Sequence, residues 1–222
     1  MGYIMEDGFT YKVDYQKKEA FLTEADANQI SQHVKLPSEV DGCNLISIMQ
    51  NAFSNNQNLL SIFIPASIQY IGAKAFMNCT NLKSVYVDAE DDSPILNIYN
   101  SAFMNCKNLK DIKLRYPTAF KDWCIFEGCK KLYKINTDAI FENIPRRTFF
   151  GCENLKRFSA ATIEKIEEES FKGVELDVFY EFCVVEDFAD DFRDAIKNAI
   201  ISCPFDSNLA NLAYEGYNVT CP

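Results

Sequence analysis

Apolar residues recur in this chain with a long period rather than with the short period of one helix or strand. Residues 75–87 read Ala-Phe-Met-Asn-Cys-Thr-Asn-Leu-Lys-Ser-Val-Tyr-Val, and residues 102–114 repeat them as Ala-Phe-Met-Asn-Cys-Lys-Asn-Leu-Lys-Asp-Ile-Lys-Leu. Weaker copies begin at Phe53, Phe126, Phe149 and Phe171, so successive repeat phenylalanines lie 23, 27, 23, 23 and 22 residues apart. A period in that range marks a solenoid of short stacked coils. One unit cannot bury its own apolar face, so it leans on its neighbours.

From Leu45 to about Tyr180 each unit divides into three pieces. The first is Leu-x-x-Φ-x-Φ, with Φ apolar: Leu59, Ile62 and Ile64; Leu82, Val85 and Val87; Leu109, Ile112 and Leu114; Leu132 and Ile135; Leu155 and Phe158. This alternation predicts one strand of a parallel sheet from each coil. The second piece is a looser apolar pair, Ile68/Ile71, Ile95/Ile98, Ile140/Ile144 and Ile163/Ile166, suited to an extended return segment. The third is the Ala-Phe turn. Two residues after its phenylalanine stand Asn55, Asn78, Asn105, Gly128, Gly151 and Gly173. Asn and Gly share a tolerance of the left-handed backbone, so this position is predicted to have positive φ. Five residues after it stand Asn58, Asn81, Asn108, Lys131 and Asn154, expected to be buried and to hydrogen-bond the backbone of the next coil.

The ends depart from this pattern. Gly8–Asp14 alternates like a half-buried strand with Glu19–Thr23 as its hairpin partner, and His33-Val34-Lys35-Leu36-Pro37 resembles the strand-and-proline ending at Ile62–Pro65. Residues 1–44 are therefore read as an N-terminal cap with an incomplete first coil, 45–180 as the solenoid and 181–222 as a C-terminal cap. In the last part Phe188, Phe192, Ile196 and Ile200 fall four apart, which predicts a helix over 186–200 with acids at its start.

The pattern Ala-Phe-x-Asn-Cys-x-Asn-Leu-x-x-Φ-x-Φ, followed by Ile-Pro-x-Ser-Ile-x-x-Ile-Gly as in Ile64–Gly72, resembles the BspA-like class of leucine-rich repeats over roughly residues 34–180. The resemblance implies an α/β fold, a right-handed, horseshoe-like leucine-rich-repeat solenoid with a concave parallel sheet, a β-rich N-terminal cap and a helical C-terminal cap. Such repeats occur in microbial surface proteins that bind host matrix proteins or cells. The resemblance therefore implies adhesion or recognition and a cell-surface or secreted location. Asp88–Asp92 in the long unit, the loss of the Ile-Gly pattern between Tyr116 and Trp123, and the short Phe171 unit depart from it.

Composition narrows the function. The net charge of −10 over 222 residues argues against general affinity for nucleic acid or anionic membrane. No apolar run reaches the roughly 18 residues of a membrane span, and Glu6 and Asp7 after Met1–Met5 leave no signal peptide in view. Of nine cysteines, Cys79, Cys106, Cys129 and Cys152 share one repeat position and are read as reduced, buried apolar groups. A pair among Cys183, Cys203 and Cys221 is the candidate staple. His33 is the sole histidine and no CxxC occurs, so no zinc site or other cofactor is expected. Asp88–Asp92 reads as a solvated acidic loop; of two sequons, Asn78-Cys79-Thr80 lies inside the repeat turn and reads as chance, and Asn218-Val219-Thr220 is the other. No catalytic signature accompanies His33, so an enzyme is not expected.

The candidate chemistry is recognition. Positions flanking the central Φ face outward, giving Ser61, Ser84, Asp111, Lys134 and Arg157, then Phe63, Tyr86, Lys113, Asn136 and Ser159. With Lys83, Lys110 and Lys156 beside them, this face is basic on an acidic protein. The residues expected to bind are Phe63, Tyr86, Lys110, Lys113, Lys134, Asn136 and Arg157. The expected partner is a protein, in particular a host or cell-surface protein, with a glycan as second ligand class; nucleic acid and membrane insertion are not expected, and the chain is expected to be monomeric. The alternative is a structural or intracellular scaffold in the cytoplasm.

Overall fold

The computed structural model describes residues 1–89, 93–114, 117–136, 140–160, 162–181, 185–203 and 207–220. Part of the acidic loop (residues 90–92), Tyr116, Cys183 and Cys221 lie outside the described residues.

The chain is a parallel-strand β-solenoid of about seven turns. The Leu-x-x-Φ-x-Φ segments form a nine-stranded sheet. It runs from His33–Lys35 through Ser61–Ile64, Ser84–Val87, Asp111–Lys113, Lys134–Asn136, Arg157–Ala160, Val178–Glu181 and Ile200–Ser202 to Val219–Thr220. Every pairing in it is parallel. The return segments make two further sheets. Tyr70–Ile71, Leu96–Ile98 and Thr118–Phe120 continue an eight-stranded sheet, while Ile140–Ile144, Thr162–Ile166 and Val185–Phe188 form a three-stranded one. In the long unit Leu96 and Ile98 are the inward pair; Ile95 is 51% exposed, so the expected Ile95/Ile98 pairing is off by one residue. Phe120 fills the same role where the Ile-Gly pattern is lost.

At the N-terminus Phe9–Asp14 and Glu19–Ala25 pair antiparallel as expected, and Gly2–Glu6 adds an outer strand that the sequence reading passed over. Glu19–Ala25 then pairs in parallel with Cys43–Ile48, which joins the hairpin to the solenoid.

The repeat phenylalanines line up in one internal row. Ring centroids are separated by 4.9 Å from Phe53 to Phe76, 5.0 Å to Phe103, 5.3 Å to Phe126, 5.6 Å to Phe149 and 5.0 Å to Phe171. These spacings follow the strand spacing of about 4.8 Å. The first four pairs are near-parallel, between 2° and 13°.

The turn is held by backbone bonds that run from coil to coil. Phe53, Phe76, Phe103, Phe126 and Phe149 donate their N–H groups to Ala75, Ala102, Ile125, Thr148 and Ser170 of the following coil at 2.7–2.9 Å. The residue two further on does the same: Asn55 to Met77, Asn78 to Met104, Asn105 to Glu127 and Gly128 to Phe150. All six members of that column have positive φ, from 60° at Asn78 to 80° at Gly173, as predicted. A second left-handed column lies two residues before the phenylalanine, at Asn51, Lys74, Ser101, Cys124, Arg147 and Glu169, with φ between 54° and 62°. Those residue types share no preference for the left-handed region, so the column is not visible in the residue pattern. The N–H groups of Asn51, Lys74, Ser101 and Cys124 reach Ala73, Asn100, Trp123 and Arg146 of the next coil. These bonds offset a strain of roughly 1–2 kcal/mol per residue.

Side chains reinforce the same axis. Asn78 Nδ2 donates to Asn55 Oδ1 at 2.9 Å and Asn105 Nδ2 to Asn78 Oδ1 at 3.2 Å. The other asparagine column is not buried as expected: Asn81 and Asn154 are exposed and Asn58 and Asn108 half-buried. They bond the preceding coil, at Ile30, Gln57, Thr80 and Lys130 carbonyls. Lys131 instead donates to Asn108 Oδ1. The thiols of Cys79, Cys106, Cys129 and Cys152 donate at 3.0–3.1 Å to the phenylalanine carbonyl one coil back. All four are buried free cysteines, and burial pushes the Cys79 thiol up to about 12.

The C-terminal part differs from the expected long helix, and the chain is mostly β rather than α/β. Among the described residues helix is confined to Phe192–Ile196, followed by a 3-10 segment at Asn208–Glu215. Residues 185–202 instead form another coil, with Val185–Phe188 and Ile200–Ser202 each adding a parallel strand. Phe192 takes the next place beside Phe171, at 5.1 Å. Pairing with existing strands satisfies the backbone and buries the apolar groups together, whereas so short a helix is marginal by itself. Asp191 does not cap the helix with its side chain; its Oδ2 accepts the N–H of left-handed Glu169, where earlier coils use a backbone carbonyl.

A Cβ on Gly128 would sit 2.6 Å from Asn105 Oδ1, the movable end of a side chain, with φ at +73°. Gly128→Asn is expected to stay within about 1 kcal/mol of wild type in urea denaturation, because Asn tolerates this backbone and can extend the ladder. Gly128→Val is expected to lose about 2 kcal/mol or more. Phe103→Ala, at the middle of the row, is expected to cost about 3–5 kcal/mol by the same measurement.

Candidate functional site

Alternation along each parallel strand puts every second side chain of the nine-stranded sheet into solvent, and the register stacks those side chains in rows. One row runs His33, Ser61, Ser84, Asp111, Lys134, Arg157, Val178 and Ile200. The neighbouring row begins Lys35, Phe63, Tyr86 and Lys113. The register thus brings Phe63, Tyr86, Lys113, Lys134 and Arg157 onto one face, while Lys110 precedes the strand Asp111–Lys113. Lys110, Lys113, Lys134 and Arg157 are exposed, Tyr86 is 36% exposed and Phe63 half-buried. The Asn136 strand is in place, but its side chain lies outside the described residues. Ser159 was expected to face outward and is instead 8% exposed.

The second row is a stack. Phe63 and Tyr86 have ring centroids 5.0 Å apart at 18°. Lys35 Nζ lies 5.4 Å from the Phe63 centroid and Lys113 Nζ 4.8 Å from that of Tyr86, with Lys113 Nζ 3.4 Å from the Tyr86 hydroxyl. Such contacts contribute on the order of 0.5–1 kcal/mol each at exposed sites. Beyond the stack, the side chains of Lys110, Lys134 and Arg157 have no ion-pair or hydrogen-bond partner among the described residues, and Asp111 is the carboxylate among them. Lys156, by contrast, is engaged with the Glu175 carbonyl at 2.8 Å and lies 3.9 Å from Asp177. A groove of about 810 Å³ opens beside Lys35 and Phe63, passes Pro37, Pro65 and Gln69, and is lined by Glu39 and Asp88 as well.

Lys35 and His33 belong to this face and were left out of the sequence reading, which began the columns at the next coil. The signal was present: His33–Pro37 has the same x-Φ-x-Φ-Pro order as Ser61–Pro65. His33 Nδ1 is 2.7 Å from Ser61 Oγ. Among the described residues no carboxylate holds the other ring nitrogen, so the pair lacks the orienting group that nucleophilic catalysis needs. No group of three or more His, Cys, Asp or Glu side chains among the described residues is arranged to hold a metal.

The densest charge cluster lies elsewhere, at the turns. Arg147 donates to both oxygens of Glu127 at 3.0 and 2.7 Å and stacks on Phe150 at 3.9 Å. Glu169 accepts from Lys172 at 2.8 Å and Arg146 at 3.1 Å, and these two cations hold its carboxyl down to about 2. Burial, followed by the neighbouring Glu127, pushes the Cys124 thiol up to about 11. A thiol so raised is a poor nucleophile at neutral pH, so the cluster ties successive coils together and offers no reactive group.

Comparison with known proteins agrees with this architecture. The family model described as BspA type leucine rich repeat region matches residues 26–94 and 92–191 in 6 copies. A leucine rich cell surface protein from Faecalibacterium prausnitzii superposes with a TM-score of 0.70 at 20% identity, covering 94% of this chain and 55% of that one. The chain thus spans about half the length of that neighbour. The leucine rich repeat protein of T. pallidum superposes with a TM-score of 0.58 at 18% identity, covering 93% of this chain and 100% of that one. At these identities the likeness is one of fold. No curated protein matches the chain by sequence.

The Glu169 pairing makes stability depend on pH. Its folded pKa of about 2 lies below the ordinary 4.5, so its contribution is present above the ordinary value and lost as pH falls through the folded one. Glu169→Gln is expected to lower Tm at pH 7, with the gap to wild type closing as the pH is taken from 4.5 toward 2 in a thermal melt series.

Proposed function

Because the chain belongs to the BspA-type leucine-rich-repeat family, we propose that it is a non-enzymatic recognition module that takes a protein ligand on the outward face of its nine-stranded sheet. Proteins built from these repeats generally mediate protein interaction or adhesion. The observation that carries the choice of face is the basic strip, Lys110, Lys113, Lys134 and Arg157, which forms no salt bridge among the described residues, on a protein of net charge −10. Charge of opposite sign to the rest of the surface orients an approaching partner and raises its rate of association. The Phe63–Tyr86 pair supplies aromatic contact area next to the strip, the residue type on which binding energy concentrates. The F. prausnitzii neighbour is described as a cell surface protein, and presentation at a cell surface is the setting proposed here as well.

The test compares retention of partners on the immobilised protein. Lys113→Glu with Lys134→Glu and Arg157→Glu is expected to weaken binding about tenfold or more without lowering Tm. Lys74→Glu with Lys121→Glu, away from the face, is expected to leave binding intact. Equal retention by the wild type and the triple variant removes this face from consideration.

A further inference from the structure

The stacking geometry of the second row narrows the partner. Phe63 and Tyr86 lie face to face, and the register puts Lys35 on the far side of Phe63 and Lys113 on the far side of Tyr86. Each ring therefore has one face against the other ring and one face under an ammonium group. What remains for solvent is the ring edges, the Tyr86 hydroxyl and the two ammonium groups. Aromatic edges carry the positive part of the ring quadrupole, so the row is electropositive along its length.

This arrangement discriminates between ligand classes. A sugar that stacks on an aromatic residue needs an open ring face, and neither ring offers one. A carboxylate finds edge C–H groups, a phenol hydroxyl and two cations. Resting on the reading of the outward face as the recognition face, we propose that Lys35, Phe63, Tyr86 and Lys113 form a subsite for an acidic segment of a partner polypeptide. Carboxylates of the same segment further along meet Lys134 and Arg157.

Distances set the spacing of the acids. Lys35 and Lys113 are three strands apart, about 14 Å at a strand spacing of about 4.8 Å. An extended segment crossing the strands rises about 3.3 Å per residue. Carboxylates at i and i+4 then reach both ammonium groups, and the one at i+2 lies over the ring edges. The negative charge of the rest of the protein repels the same segment, which confines it to this strip.

The experiment measures fluorescence anisotropy with a labelled peptide carrying Glu at every second position. Its Gln counterpart, labelled dextran and labelled alginate are run beside it, with sedimentation of the protein alone to detect self-association. The acidic peptide is expected to bind, to weaken with added salt, and to lose about tenfold in affinity in Lys35→Gln with Lys113→Gln, whose melting is checked in parallel. The Gln peptide and dextran are expected to stay free. If Lys134→Glu with Arg157→Glu abolishes binding while the Lys35/Lys113 variant does not, the face survives as the recognition face and the subsite is overturned. If alginate or dextran binds as tightly as the acidic peptide and is lost in the Lys35/Lys113 variant, the ligand is a glycan and the polypeptide assignment is overturned. Absence of peptide binding, binding unaffected by both pairs, or self-association that masks the strip likewise overturns it.

Discussion

The structure depends on one constraint: backbone N–H groups in each Ala-Phe turn that have no acceptor in their own coil find carbonyls in the next turn. The solution is a turn in which residues two before and two after the phenylalanine are left-handed, so that every second N–H points along the solenoid axis. Carbonyls of the phenylalanines receive a second donor from the cysteine thiols of the following coil. Phe-to-Phe stacking and the asparagine ladder are consequences of this spacing as much as contributors to it. Once the turns are clamped at strand distance, every equivalent side chain falls into a row.

Rows are what give a structural repeat a continuous outward face, the one on which binding is proposed. The inward positions of each strand are committed to Leu, Ile, Val and Phe, and their burial makes coil-to-coil packing continuous. The outward positions carry no such obligation. Their identities can change from coil to coil without touching the core, so the face reads as a sequence of its own: aromatic and basic near the start, basic in the middle, and apolar at Val178 and Ile200 toward the end. Exposed charge contributes little to stability, which leaves it free to act in association.

The same register that builds the face also limits its chemistry. Aromatic residues on adjacent parallel strands stack on one another rather than opening their faces, and cations at the row ends complete the stack. A Ser–His contact arises there as well, yet it sits on an open sheet with no carboxylate partner among the described residues. The outward rows and the isolated Ser–His contact thus have a common source in strand geometry.

The spacing of Phe53 to Phe171, the Leu-x-x-Φ-x-Φ strands and the Asn/Gly turn position were legible in the chain alone, because a repeated local requirement leaves the same residue type at the same place. So were Phe63, Tyr86, Lys113, Lys134 and Arg157 as outward positions, since strand alternation is local. The left-handed column at Lys74, Ser101, Cys124 and Arg147 was not legible: its strain is offset by hydrogen bonds to another coil, which leave no preference in the residue type. The fate of residues 186–200 was likewise decided by tertiary pairing, since a four-residue apolar spacing suits a helix and a bent coil equally until neighbouring strands compete for the backbone. Lys35 and the capped ring faces belong to the same class. The sequence by itself determined the repeat and its face; contacts between coils decided which ring surfaces and which charges remained available, because those contacts join residues more than twenty positions apart.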